Sequence, residues 1–87
     1  MEKIEEIFGA VIRRRRERAG LSQEQFAQEA GVHRTYMSSI ERGKVQVSIG
    51  VAVKLADALH VPLSRVWKDV EKLSKSESTD RHSSDES

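Results

Sequence analysis

The sequence predicts an all-helical domain, and three observations carry that expectation. Apolar residues recur at three- and four-residue steps along most of the chain. No segment alternates with period two except Val45-Gln46-Val47, which is too short for a strand. One proline and five glycines punctuate 87 residues of which 33% are charged, a composition suited to helices. A chain of this length holds one small core.

Five helices follow in order. Ile4, Ile7, Phe8, Val11 and Ile12 form one apolar face, and that helix runs through Arg13 to Arg18 and stops at Gly20, a residue suited to a C-terminal cap. Ser22 with Gln25 three residues on is a capping box that opens a second helix, Gln23 to Ala30, ended by Gly31. Val32 and His33 lead into a third helix from about Arg34 to Glu41, closed by Gly43. Ser48 caps a fourth, with Ile49, Ala52, Leu55, Ala56 and Leu59 expected on its buried side. Pro62 suits the first turn of a fifth, which carries Leu63, Val66, Trp67 and Val70. From Ser74 to Ser87 the chain is Ser-rich and acidic with no apolar residue. It cannot offset its ordering entropy and reads as a disordered tail. The expected organisation is a domain over 1–73 and a tail over 74–87.

Charge and composition exclude several functions. Cysteine is absent, so disulfides and Cys-ligated metal sites are out. His33, His60 and His82 have no metal-ligand spacing with carboxylates on one helix face, so no metal and no cofactor is expected. Asp80-Arg81-His82-Ser83 lies in the tail, where no triad is preorganised, and no Gly-rich phosphate loop follows a strand. A non-enzyme is expected. No apolar run approaches the roughly 20 residues that span a bilayer, and the acidic start does not read as a signal peptide; a cytoplasmic protein with no membrane partner is expected. The net charge of +1 argues against a nucleic-acid partner only if the charges are evenly spread. They are not: residues 1–12 carry −2, residues 13–44 carry +4, residues 45–72 carry +1 and residues 73–87 carry −2.

The basic island contains the informative stretch, Ser22 to Lys44. Two short helices crossing steeply need a shared core, and Phe26, Ala27, Ala30, Val32, Met37 and Ile40 supply it. Ala27 is small enough for close approach, and Gly31 can take the positive φ that a sharp turn demands. Arg34, Thr35, Ser38 and Ser39 are left facing outward. An eight-residue helix is about 12 Å long and fits the DNA major groove. Arg34 in its first turn can reach guanine O6 and N7 with both arms of its guanidinium. Thr35 suits a polar base edge or a thymine methyl, and Ser38 and Ser39 are short, adaptable donors or acceptors.

These residues resemble the lambda-repressor-like (Cro/XRE-type) helix–turn–helix family. The matching run is Gly20-Leu21-Ser22-Gln23, Phe26-Ala27, Gly31-Val32, Arg34-Thr35-Tyr36, Ile40-Glu41-Arg42-Gly43, then Leu55-Ala56, Ala58-Leu59 and Val61, over about residues 8–70. His33-Arg34-Thr35-Tyr36 and Glu41-Arg42-Gly43 are most similar to small bacterial regulators, including the controller proteins of restriction–modification systems. The resemblance implies a five-helix domain that binds operator DNA as a homodimer. It implies base contacts from Arg34, Thr35, Ser38 and Ser39. It implies phosphate contacts from Gln23, Tyr36, Arg42 and Lys44, with the helix amides near Ser22 and His33. It implies a buried pair, Arg16 with Glu41, that ties the first helix to the third. It also implies a bacterial or phage cytoplasm, with the protein nucleoid-associated when bound.

Departures from the family pattern are Arg15, where an apolar residue is usual, His60, where Gly is favoured, and Gln46, often Asn in the closest relatives. The Arg13–Arg18 run has two readings, a solvated helix face or partial backbone contact. Tyr36 is either half-buried core with its hydroxyl outward or a phosphate contact. Trp67 either plugs the core beside Ile12 or Leu59 or joins a dimer interface. For that interface the apolar residues Ile49, Val53, Val66, Trp67, Val70 and Leu73 exceed what one small core needs. Glu24 and Glu29 are either ordinary solvated glutamates or contacts to RNA polymerase. The expected function is a transcriptional regulator reading a palindromic operator. The alternative is an antitoxin or a protein–protein adaptor using the same fold.

Overall fold

The computed structural model describes residues 3–77, and all regular structure among them is helical. The helices are α1 (Ile4–Arg18), α2 (Gln23–Ala30), α3 (Arg34–Glu41), α4 (Ile49–Ala58) and α5 (Leu63–Glu77). The five-helix expectation holds. The boundary at 73 moves: α5 continues through Ser74 to Glu77, and the rest of the expected tail lies outside the described residues. Helical continuation needs no apolar face in a helix already anchored by its first two turns.

Local chemistry sets most of the helix ends. The Ser22 hydroxyl accepts from the Gln25 amide while the Gln25 side chain accepts from the Ser22 amide, a complete capping box. Ser48 caps α4 through the Val51 amide at 3.1 Å. Gly31 turns the chain between α2 and α3 at φ 73°, a conformation an L side chain resists. Pro62 stands just ahead of α5 and its carbonyl accepts from the Arg65 amide at 2.9 Å.

His60 takes the same left-handed turn at φ 62° without being glycine. The amides of His60 and Val61 donate back to the carbonyls of Asp57 and Ala56, the paired bonds that close a helix in a Schellman turn. The motif prevails over side-chain preference, at a cost of about 1–2 kcal/mol. Glycine relieves that strain but adds about 0.4–1 kcal/mol of unfolded-state entropy. His60→Gly therefore raises stability by about 0.5–1 kcal/mol; an unchanged or lower urea midpoint would contradict the strain.

α1 packs on α3 and α5, α2 on α3 and α4, and α4 on α5. One core results, with Ile12, Phe26, Met37, Ile40, Leu55, Val66 and Val70 each under 2% exposed. Each such side chain contributes about 1.5–3 kcal/mol by leaving water. Val32 and Leu59 are only partly buried against this cluster.

Three expectations about apolar residues are corrected here. Val66 and Val70 fill the protomer's own core at 0% and 1% exposure, so they are not available to a dimer mate. Ile49 opens α4 on the solvent side at 80% exposure, while Val51 and Ala52 of the same turn pack against the core. Trp67 is no core plug either: it is 45% exposed and tilts against Phe8 at a ring-centroid distance of 6.5 Å.

Candidate nucleic-acid interface

At 3.6 residues per turn, Arg34, Ser38, Arg42, Thr35 and Ser39 fall within about 140° of one another around the α3 axis. Met37 and Ile40 point the other way, into the core at 0% and 1% exposure. Arg34, Thr35 and Arg42 are exposed, while Ser38 and Ser39 are half-buried at the foot of the same face. The structure thus brings the four expected base-facing residues onto one exposed helix face. The Lys44 amide donates to the Ser39 carbonyl, so the chain beyond Gly43 folds back on the helix end. Tyr36 is half-buried against the core.

α3 starts on an unusual cap. His33 Nδ1 accepts from the Thr35 amide at 3.2 Å, which requires that nitrogen to be unprotonated. The spacing of His33 before Thr35 is the only sequence signal for this role, and it is weaker than a Ser or Asp cap.

Charges near the face divide into paired and unpaired. Within the Arg13–Arg18 run, Arg13 pairs with Glu17 at 3.0 Å, Arg15 with Asp69 of α5 at 2.7 Å and Arg16 with Glu41 at 2.7 Å. Arg15 occupies its apolar position by reaching a carboxylate on the neighbouring helix. Arg14 and Arg18 are exposed and make no ion pair among the described residues. Arg34, Arg42 and Lys44 are exposed and equally unpaired. Unpaired positive charge therefore stands at both ends of α3, while Arg13, Arg15 and Arg16 of the arginine run are paired with carboxylates.

Behind the face lies the expected Arg16–Glu41 pair. Arg16 Nε donates to Glu41 Oε2 at 2.7 Å and Nη2 to Oε1 at 3.1 Å, a two-point contact. The side chains are 11% and 2% exposed. The hydrogen bond that Arg16 donates to Glu41 holds its guanidinium charged beyond its ordinary range, against the opposing pull of burial. Arg16 Nη1 also donates to the Leu21 carbonyl at 2.8 Å. Gln23, expected at a phosphate, is half-buried and donates from Nε2 to Glu41 Oε1 at 3.1 Å. Sequence reading missed that bond; nothing in the spacing of 23 and 41 signals it.

On another side of the molecule an apolar groove of about 610 Å3 is lined by Ile4, Phe8, Val47, Ile49, Ala52, Leu63 and Trp67, with Glu5, Gln46 and Ser64 at its polar points. Gln46 thus faces this groove. Ile4, Ile49, Val53 and Trp67 are the large apolar side chains left exposed, at 40–80%. Among the described residues no cluster of His, Asp or Glu could hold a metal ion, and no helix is long and apolar enough to cross a membrane.

A family model for the helix–turn–helix domain matches residues 7–66. The control protein C.MunI of a Mycoplasma species is 41% identical over 73 residues, which are 83% of this chain and 99% of that protein. The restriction–modification controller protein C.AhdI of Aeromonas hydrophila superposes with a TM-score of 0.70 at 37% identity, over 71% of this chain and 94% of its own. The chain belongs to the helix–turn–helix controller proteins of restriction–modification systems. The controller is a DNA-binding transcription regulator of the XRE type and not an enzyme. The clp gene regulator ClgR of Corynebacterium glutamicum shares the controller's fold, with a TM-score of 0.85 at 22% identity over 92% of this chain and 85% of its own.

Proposed function

We propose that the controller binds a palindromic operator as a homodimer, with α3 of each protomer in successive major grooves. The observation that carries this reading is the α3 face itself. Arg34, Thr35, Ser38 and Ser39 share it, and the unpaired cations Arg42 and Lys44 stand at its end. Arg34 reads a guanine edge, with Thr35, Ser38 and Ser39 beside it at neighbouring bases. Arg42, Lys44 and Tyr36, with the helix starts at Ser22 and His33, meet the phosphates and supply the salt-dependent affinity. An adaptor or antitoxin would not require exposed cations free of carboxylates at both ends of one helix, Arg34 at its start and Arg42 and Lys44 at its end.

Selection from a random DNA pool tests the whole reading. It should return two inverted half-sites about 10 base pairs apart, centre to centre. A pool with no enriched sequence overturns it. Within the selected site, Arg34→Ala costs about 1–3 kcal/mol and relaxes preference at one base step. Arg42→Ala weakens binding to all sequences alike and lowers the salt slope by about one. Interchanged behaviour of the two variants would mean that their roles are reversed.

The dimer mate is assigned to the groove. Ile49 at 80% exposure is a knob beside a hole lined by Phe8, Val47, Leu63 and Trp67, and a two-fold interface needs both features on one patch. Of the six residues expected there, Ile49, Val53 and Trp67 are exposed enough to serve, and Ile4 joins them. Leu73 is partly buried against the core. Ile49→Lys should raise the dimer dissociation constant at least tenfold, about 1.4 kcal/mol, by placing a charge in an apolar contact. Sedimentation equilibrium reads it, and an unchanged dimer would place the interface elsewhere. RNA polymerase contact, where the controller activates, falls to Glu24 and Glu29, both exposed on α2. In vitro transcription at full operator occupancy decides it: unchanged activation after replacing both excludes that contact.

A further inference from the structure

We propose that Glu41 is a positioning residue for DNA binding: it fixes the Gln23 carboxamide so that one nitrogen bridges the buried carboxylate and a DNA phosphate. The inference rests on the operator-binding reading above and extends it to a buried group that no base or phosphate touches.

The geometry starts from what a carboxylate can do. Ionised Glu41 only accepts hydrogen bonds. Its Oε2 is taken by Arg16 Nε, and its Oε1 accepts from both Arg16 Nη2 and Gln23 Nε2, each at 3.1 Å. Gln23 must therefore turn its NH2 group, and not its carbonyl oxygen, toward the interior. A phosphate is likewise acceptor-only and needs an N–H. The NH2 group has two hydrogens, so the same nitrogen serves Glu41 with one and keeps the other for the backbone. Without the carboxylate, the amide is free to flip and present its oxygen to the phosphate, where like partial charges repel.

Arg16 completes the arrangement. It neutralises Glu41, whose charge would otherwise oppose an approaching phosphate. Through Nη1 it also holds the Leu21 carbonyl, one residue ahead of the Ser22 cap. The start of α2 and the end of α3 are thereby tied to one carboxylate. The first turn of α2 and the face of α3 then meet DNA as a unit.

The first test needs no substitution. NMR relaxation of the side-chain NH2 groups in the free protein should show Gln23 as rigid as its backbone, while exposed Gln28 averages freely. A Gln23 amide as mobile as that of Gln28 overturns the proposal. The second test separates position from folding. Replacing both partners, Arg16→Met with Glu41→Met, removes the carboxylate without leaving a buried charge unpaired. Gln23→Ala removes the bridging amide itself.

Each variant should bind operator and unrelated DNA about tenfold more weakly, the loss of one hydrogen bond to a charged group. The salt slope should stay unchanged, because a neutral amide releases no counterion. Combining them should cost no more than either alone. Wild-type affinity in the pair-swapped protein, or fully additive losses, would overturn the role of Glu41. Should the pair-swapped protein fail to fold, the amide relaxation of the wild type still decides. A wild-type protein that binds no DNA would defeat the operator reading and leave the relaxation result standing.

Discussion

Gly9→Ala melts the controller well below the wild type, although alanine is the better helix former. Gly9 lies in the second turn of α1, where helix propensity alone favours alanine by about 1 kcal/mol. The third dimension reverses the sign. A Cβ at position 9 would overlap the Ile40 carbonyl oxygen and stand 2.8 Å from the Glu41 carbonyl oxygen. Both are backbone atoms of the last turn of α3, and that turn cannot retreat easily. Glu41 is held by Arg16, and Gly43 just beyond it rests on Glu6, so closely that a Cβ there would meet the Glu6 Cα at 2.7 Å. Overpacking against a fixed backbone costs about 1–3 kcal/mol, and more where neither side yields. The net loss is about 2 kcal/mol, which lowers Tm by about 10 °C in a domain of this size. Thermal melts followed by circular dichroism read this directly. A Tm equal to or above wild type would mean that α1 and α3 can separate, and that propensity governs the site.

The same residue marks where sequence reading stops. Five helices, two serine caps, the Gly31 turn and the outward face of α3 are local features, and spacing reveals them. The close approach at Gly9 leaves no periodic trace in the sequence. Val66, Val70 and Ile49 fail together for a related reason. Periodicity says that a residue is apolar on one face, but not how far the core extends along that face. Two valines expected at a dimer mate are core, and Ile49, expected both on the buried side of α4 and at a dimer mate, is surface, which removes only the first of those placements. Arg15 could not be placed before Asp69 was known to lie 2.7 Å away across 54 residues of sequence. His60 broke a residue rule while the backbone kept the turn the rule describes. The shared outward face of α3 was legible because one short helix carries it. The Gln23–Glu41 bond was not, because it joins two helices whose relative placement only the fold supplies.

Glu41→Ala should be among the costliest single substitutions in the protein, and Arg16→Met with Glu41→Met among the mildest double ones. The carboxylate is 2% exposed and its arginine 11%. Removing the carboxylate alone leaves a largely buried guanidinium with only the exposed Glu17, 4.0 Å away, as counter-charge, at about 3 kcal/mol. Removing both replaces an ion pair, costly to desolvate, with apolar groups of similar volume, which is often neutral or stabilising. Gross stability therefore does not require the pair. The pair joins α1, the α1–α2 turn, the start of α2 and the end of α3: Glu41 holds Arg16 and Gln23, and Arg16 holds the Leu21 carbonyl. A protein that needed only stability could have buried methionines there. Urea titration of the two single variants and the double gives the coupling as a double-mutant cycle. A large favourable coupling, with the double variant close to wild type in stability, supports a pair kept for orientation of the DNA-reading helix. A double variant as unstable as Glu41→Ala would instead make the ion pair part of what holds α1 to α3.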